Sequence, residues 1–155
     1  MTTAETPRRL VVELPEIFYL GSGRRLLRVQ SIPSANVFVA WNRARRFDRF
    51  TRLKAAYAVH VLAAKASARW RDPAQRVEVE IVRRCARAYD VDNAIAGTKY
   101  LVDSLRRGGI VVDDATANLS LTLRQERSRP EVRGVTVTVQ ESHDVTGLRS
   151  TIAKL

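Results

Sequence analysis

The residues best suited to chemistry lie between Asp90 and Asp114. This stretch contains Asp90-Val91-Asp92-Asn93, then Lys99 and Asp103, then Gly108-Gly109 and the pair Asp113-Asp114. Two carboxylates two positions apart leave extended backbone pointing the same way. Lys99 follows Asp92 by seven positions, close to two helical turns. On one helix the two share a face, with Asp103 one turn further on. Asp113-Asp114 opens the next segment, where the chain returns to a sheet beside the first strand. Carboxylates brought together from three points of a chain repel one another unless a cation lies between them. Oxygen-only ligands suit Mg²⁺, which keeps several waters and uses few carboxylates. Such an ion would polarise a phosphodiester oxygen, orient a water and stabilise the leaving oxygen, and a second ion would do the last two jobs better. A lysine beside it would neutralise charge on the phosphorane or hold the attacking water. A plainer reading stands next to this one: Asp92 caps a helix, and Asp113-Asp114 is a polar turn. An Asp-x-Asp pair alone is a weak signal.

The elements that must position these groups are legible in outline. Arg76 to Arg84 alternates apolar and charged residues and predicts a half-exposed strand with Val77, Val79 and Ile81 on the core face. Asp92 or Asn93 can cap a helix running to about Arg107, which Gly108-Gly109 ends. Ile110-Val111-Val112 leads into Asp113-Asp114. Leu119, Leu121 and Leu123 alternate with polar residues, as does the stretch from Gly134 to Val139, so the two predict strands. They read as a hairpin with a long loop from Glu126 to Glu131. Earlier in the chain, Phe50, Leu53, Tyr57 and Val61 recur at threes and fours, which predicts a helix from about Asp48 to Trp70. Asp72-Pro73 closes it. Before that, Arg9 to Leu14 and Arg25 to Val29 suggest a hairpin about Gly21-Ser22-Gly23, and Ile32 to Asn36 reads as irregular. The expected fold is α+β: a small mixed sheet packed against two main helices. Residues 1–7 are expected to be a flexible tail, 8–142 one domain, and 143–155, which show no clear period, a C-terminal tail or docking arm.

Composition narrows the class of function. The chain has 155 residues, enough to bury a core without staples, and a formal net charge of +11. Such a field suits a polyanion, of which DNA and RNA are the commonest. Arginines outnumber lysines 23 to 4, which genomic base composition also favours. Arg43, Arg45 and Arg46 follow Trp41, and Arg83, Arg84 and Arg87 carry the strand's basic end towards Asp90. Guanidiniums grip phosphate oxygens in pairs. Trp41 either stacks on a base or anchors the loop from within the core. His60, beside the helical stripe, reads as structural. The single cysteine, Cys85, cannot form an internal disulfide or a cysteine zinc site, and it is read as inert. No apolar run approaches a membrane span and no leader pattern opens the chain, so a cytoplasmic address is expected.

In their order and spacing, Asp90-Val91-Asp92-Asn93, Lys99, Asp103, Leu105, Gly109 and Asp113-Asp114 resemble the RusA family of Holliday junction resolvases. Pro33-Ser34-Ala35-Asn36 resembles that family's N-terminal Pro-Ser-x-Asn element. The similarity spans about residues 28 to 140 and is specific between 89 and 115. It implies that Asp90, Asp92 and Asp114 bind catalytic Mg²⁺ and that Lys99 assists cleavage. It also implies a homodimer that nicks four-way DNA junctions symmetrically in recombination and repair. Two departures stand out. Three extra residues lie between Asp92 and Lys99, within Ala94 to Thr98, and the first 20 or so residues are additional. Two other functions compete: a DNA-binding protein of the same fold without cleavage, and a basic RNA-binding or ribosome-associated protein. The last leaves the carboxylates unexplained.

Overall fold

In the computed structural model, residues 7–21, 24 and 26–142 are described. The expected tail at 143–155 and all but Pro7 of the N-terminal tail lie outside these residues. The fold is α+β. A four-stranded mixed sheet has the order β1-β6-β4-β5, and a separate two-stranded hairpin pairs β2 with β3. The strands are β1 (Arg9–Pro15), β2 (Ile17–Leu20), β3 (Leu27–Gln30), β4 (Val77–Cys85), β5 (Leu119–Arg127) and β6 (Gly134–Glu141). The helices are α1 (Ala35–Arg43), α2 (Phe47–Ser67), α3 (Val91–Gly97) and α4 (Lys99–Arg107). None of them is long and apolar enough to cross a membrane.

Side-chain alternation builds the sheet's core face row by row. Val12 faces Val137, Val137 faces Ile81, and Ile81 faces Leu123. The next row is Leu10, Val139, Val79 and Leu121. Against this face α2 buries Phe50, Leu53, Tyr57 and Val61, the stripe expected from its spacing. The opposite face is open and polar, with Glu78, Glu80, Ser120, Thr122, Thr138 and Gln140 side by side. The short hairpin folds its Phe18 edge-on against Tyr57, with ring centroids 5.8 Å apart, and against His60 at 5.6 Å. The Tyr57 hydroxyl donates to the Ser31 carbonyl, tying α2 to the end of β3.

Strand pairing corrects two expectations. β5 and β6 do not form a hairpin: β4 lies between them, parallel to β5 and antiparallel to β6. The link crosses the end of β4, where the Ser128 amide donates to the Cys85 carbonyl at 2.9 Å, and includes a single 3-10 turn at Pro130–Val132. Alternation places side chains on faces but does not name neighbours, and six linking residues are enough to pass over one strand. Likewise Arg9–Pro15 pairs with β6, so the first hairpin arm is Ile17–Leu20. Helix α1 was hidden in the sequence by the Pro33 to Asn36 segment. Its apolar side meets α2 through an aromatic cluster in which Trp41 and Phe50 stand 5.2 Å apart and Phe38 and Tyr100 5.0 Å apart.

Candidate functional site

The chain leaves β4 at Cys85, turns through residues 86–90, runs back along α3 and α4, and re-enters the sheet as β5, parallel to β4. This is a crossover unit, and every candidate of the Asp90–Asp114 stretch lies on its connection. Asp90 occupies the N-cap position of α3, with extended backbone (φ −58°, ψ 149°), and makes no side-chain cap bond. Asp92 lies two positions further on, in the first turn, and is exposed. There its charge complements the helix dipole. The cap expected at Asp92 or Asn93 therefore falls two positions earlier.

The single helix expected to run to Arg107 is divided at Thr98. The Thr98 amide turns back to the Ile95 carbonyl at 3.0 Å, and its hydroxyl donates to the same oxygen at 2.7 Å. Three-residue hydrogen bonding of this kind tightens a helix end. The reason for the joint is visible at Gly97. A Cβ built there would stand 2.1 Å from the Pro33 carbonyl oxygen and 3.0 Å from Ile32 Cγ2. α3 thus lies directly against the Ile32-Pro33 backbone. Lys99 opens α4, is exposed, and holds its ammonium 6.0 Å from the Tyr100 ring centroid. Helical periodicity does not carry through from Asp92 to Lys99, but Lys99, Asp103 and Arg106 remain on one side of α4.

α4 ends as its glycines predict. Gly109 is left-handed (φ 71°), its amide donates to Arg106, and the Lys65 ammonium caps the Gly108 carbonyl at 2.9 Å. Val111 makes an isolated parallel bridge to Ala74, after which Asp113 and Asp114 turn outward. Asp114 pairs with the Arg106 guanidinium at 3.6 Å. Partial burial pushes its carboxyl up. The opposing pull of its own backbone amide, Asp113, Arg106 and Asp103 is greater in sum and holds it below the ordinary carboxylate range. An open groove of about 720 Å³ runs beside it, lined by Arg76, Val102, Asp114, Thr116, Ser120 and Leu121 among others.

The structure thus groups Asp114 with Asp103, Asp113 and Arg106, and holds Asp90 and Asp92 at the start of α3. Among the described residues, no three carboxylate, imidazole or thiol side chains come together as a metal site. The residues as arranged do not fit a shared Mg²⁺, and no chemical step is derived through one. Arg106 is the site residue the sequence reading missed. Its spacing of three from Asp103 and seven from Lys99 was the available signal.

The basic candidates separate into two kinds. Arg43, Arg45 and Arg46 are exposed in the turn between α1 and α2, where Arg45 is left-handed (φ 52°) and Arg46 stands 3.4 Å from Asp48. Arg87 is also exposed. Arg83 is not: only 4% of it is accessible. It lies in the core-face row with Leu14, Val135 and Gln125. Its guanidinium donates to Gln125 Oε1 at 2.8 Å, Gln30 Oε1 at 2.7 Å and the Arg87 carbonyl at 3.2 Å, and stacks 3.8 Å from the Tyr89 ring centroid. Its assignment to a phosphate-contacting surface is corrected, and the parity that puts Val77, Val79 and Ile81 inside already implied this. Arg84 points to the opposite face and donates to Thr136 Oγ1 at 2.8 Å, so it does not share a surface with its neighbour. Trp41 is buried and is a core anchor, with Arg49 6.0 Å from its ring. Cys85 is a buried free thiol. No protein-family model and no curated protein matches the chain.

Proposed function

We propose that the protein is a Mg²⁺-dependent endonuclease that recognises four-way DNA junctions and, as a homodimer, resolves them by paired nicks. One observation carries the reading. The two segments that resemble the RusA family, Pro33–Asn36 and Asp90–Asp114, lie far apart in sequence yet meet in space, carbonyl against glycine, at Pro33 and Gly97. Further support comes from the net charge of +11 and from the exposed Arg43, Arg45, Arg46 and Arg87. These arginines suit phosphate contacts, which position a protein on DNA without reading its sequence. A two-fold dimer suits a substrate that needs two matched cuts. For the metal ligands Asp90, Asp92 and Asp114, and for Lys99 beside the scissile phosphate, the reading stands on the resemblance alone, because the described arrangement does not gather those carboxylates.

A second reading is favoured by the Arg106–Asp114 pair and by the separation of the carboxylates: a junction-binding protein that does not cleave. Cleavage of a synthetic four-way junction with and without Mg²⁺, by the wild type and by Asp92→Asn, decides between them. Paired Mg²⁺-dependent nicks that Asp92→Asn abolishes are the expected result. Tight junction binding without cleavage in any divalent metal establishes the second reading. Equal binding to junction, duplex and RNA refutes both.

A further inference from the structure

Helices α2 and α4 lie side by side and run in the same direction. At one end the Lys54 ammonium stands 4.9 Å from the Tyr100 ring centroid, and at the other the Lys65 ammonium caps the Gly108 carbonyl at 2.9 Å. Between these contacts the two helices leave an open groove of about 270 Å³. Ala55, Ala58 and Leu62 of α2 form one wall, and Tyr100 and Ser104 of α4 line the other. The Ser104 hydroxyl already donates to the Leu101 carbonyl, so the middle of the groove is apolar in character. That surface continues onto the outer side of α2, where Val59 is 67% and Leu62 53% exposed. Cations stand at both ends. Lys99 lies 6.0 Å from the Tyr100 ring, beside Lys54, and Arg107 lines the groove towards Lys65. Asp103 is the one acid among the described lining residues.

We propose that this groove docks an acidic amphipathic helix of a partner protein, with apolar side chains at its centre and carboxylates towards both ends. The shape of the groove selects a helix. Its walls are two parallel helices, and the channel between such a pair accepts a third helix along its length. Lys54 and Lys65 are eleven residues apart on α2, about 16 Å, or roughly three turns of an incoming helix. Apolar residues spaced three or four apart in its middle turn meet Ala55, Ala58 and Leu62. The charges select an acidic partner. Carboxylates one turn to either side of that apolar pair face Lys54 and Lys99 at one end and Lys65 and Arg107 at the other. Four cations against Asp103 leave an excess of positive charge, which steers an acidic segment in and fixes its register.

Two other occupants fit less well. Among the described residues, no helix of a second copy carries more than one acid, and α2 itself sets Arg49, Arg52, Lys54 and Lys65 against Asp48 alone. Laying it in a partner's groove brings like charges together. Nucleic acid answers the cations but not the apolar centre. Nor is Tyr100 an open platform for a base: it packs against Phe38 at 5.0 Å and Phe50 at 5.4 Å, with the Lys54 ammonium over its ring. This inference is independent of the nuclease reading.

Selection from a displayed library of random peptides about four helical turns long, against the full chain, tests it. The enriched peptides are expected to be net acidic, with apolar residues three or four apart between the acids. Added to the labelled protein, the best of them should shift the amide resonances of Ala55, Ala58, Leu62 and Tyr100. Leu62→Asp, outside the core, should weaken its binding by about tenfold. Arg107→Glu, also exposed, should weaken it by about fivefold at low salt and less at high salt. A peptide with lysine in place of the acid facing Arg107 should recover that loss. Arg129→Glu, exposed on the link between β5 and β6, makes the same change in net charge and should have no effect. The proposal is overturned by a consensus that is not acidic, by shifts elsewhere, or by equal weakening in Arg129→Glu. It is equally overturned if an oligothymidylate shifts the same four amides, or if the chain self-associates through this face and Leu62→Asp abolishes that association.

Discussion

Replacing Arg83 by methionine separates a structural arginine from a DNA-binding one. Three hydrogen bonds to a charged donor are lost, each worth about 1.5–3 kcal/mol net, together with the stacking on Tyr89. Against this, the variant no longer buries a guanidinium that has no carboxylate within 4.0 Å among the described residues, and relief of that desolvation returns several kcal/mol. Methionine fills much of the vacated length, but the Gln30 and Gln125 side-chain oxygens lose their donor. The balance is a loss of about 2–4 kcal/mol, or roughly 5–15 °C in Tm for a chain of this size. Urea unfolding followed by tryptophan fluorescence measures it, since both tryptophans, Trp41 and Trp70, are buried. Arg87→Ala is the control: exposed, it should change stability by under about 0.5 kcal/mol. It should nevertheless lower the salt slope of DNA binding by about one. If Arg83→Met unfolds like the wild type and loses a phosphate's share of the salt slope instead, the packing argument for Arg83 fails.

Three further outcomes follow from the same contacts. Gly97→Ala forces its Cβ against the Pro33 carbonyl, and the overpacking cost of about 1–3 kcal/mol exceeds what the better helix former returns; thermal melting reads the difference. Tyr57→Phe leaves the Ser31 carbonyl without its donor and should cost about 1 kcal/mol in a urea titration. Asp114→Asn removes a carboxyl whose folded-state pKa is depressed, so the wild type's advantage should be full above the ordinary carboxyl range and vanish as pH falls through the folded value. Stability measured from pH 7 down to pH 2 on both proteins should therefore converge at the acid end.

Much of this fold was legible because the sheet is half-buried. Val77, Val79 and Ile81, then Leu119, Leu121 and Leu123, announced their faces by alternation, and α2 announced its buried stripe by threes and fours. What alternation lacks is an order of strands. Nothing local in Leu119–Arg127 or Gly134–Glu141 says that β4 lies between them, because neighbours are chosen by the packing of whole faces. Arg83 shows a subtler limit. Its charge argued for the surface and its parity for the interior, and parity prevailed because Gln30, Gln125 and Tyr89 supply acceptors and a π face. The candidate site was legible as a list of residues. Its geometry depended on the joint at Thr98, which arises from the contact of Gly97 with Pro33, a residue more than 60 positions earlier.

The position of β6 governs how the molecule must be made. It is the last of the described strands, yet it lies inside the sheet, pairing with β1 on one side and β4 on the other. As the chain emerges from a ribosome, β1 has no sheet partner until residues 134–141 appear, and the Leu10–Val12 and Val137–Val139 rows close only then. Loop closure over more than a hundred residues is slow compared with local helix formation. The nascent chain therefore carries its helices early and its central strand late, with two strand edges open in the interval. Folding of the sheet is expected to complete only after residues 134–141 have emerged, and its vulnerable period for aggregation ends when β6 slots between β1 and β4.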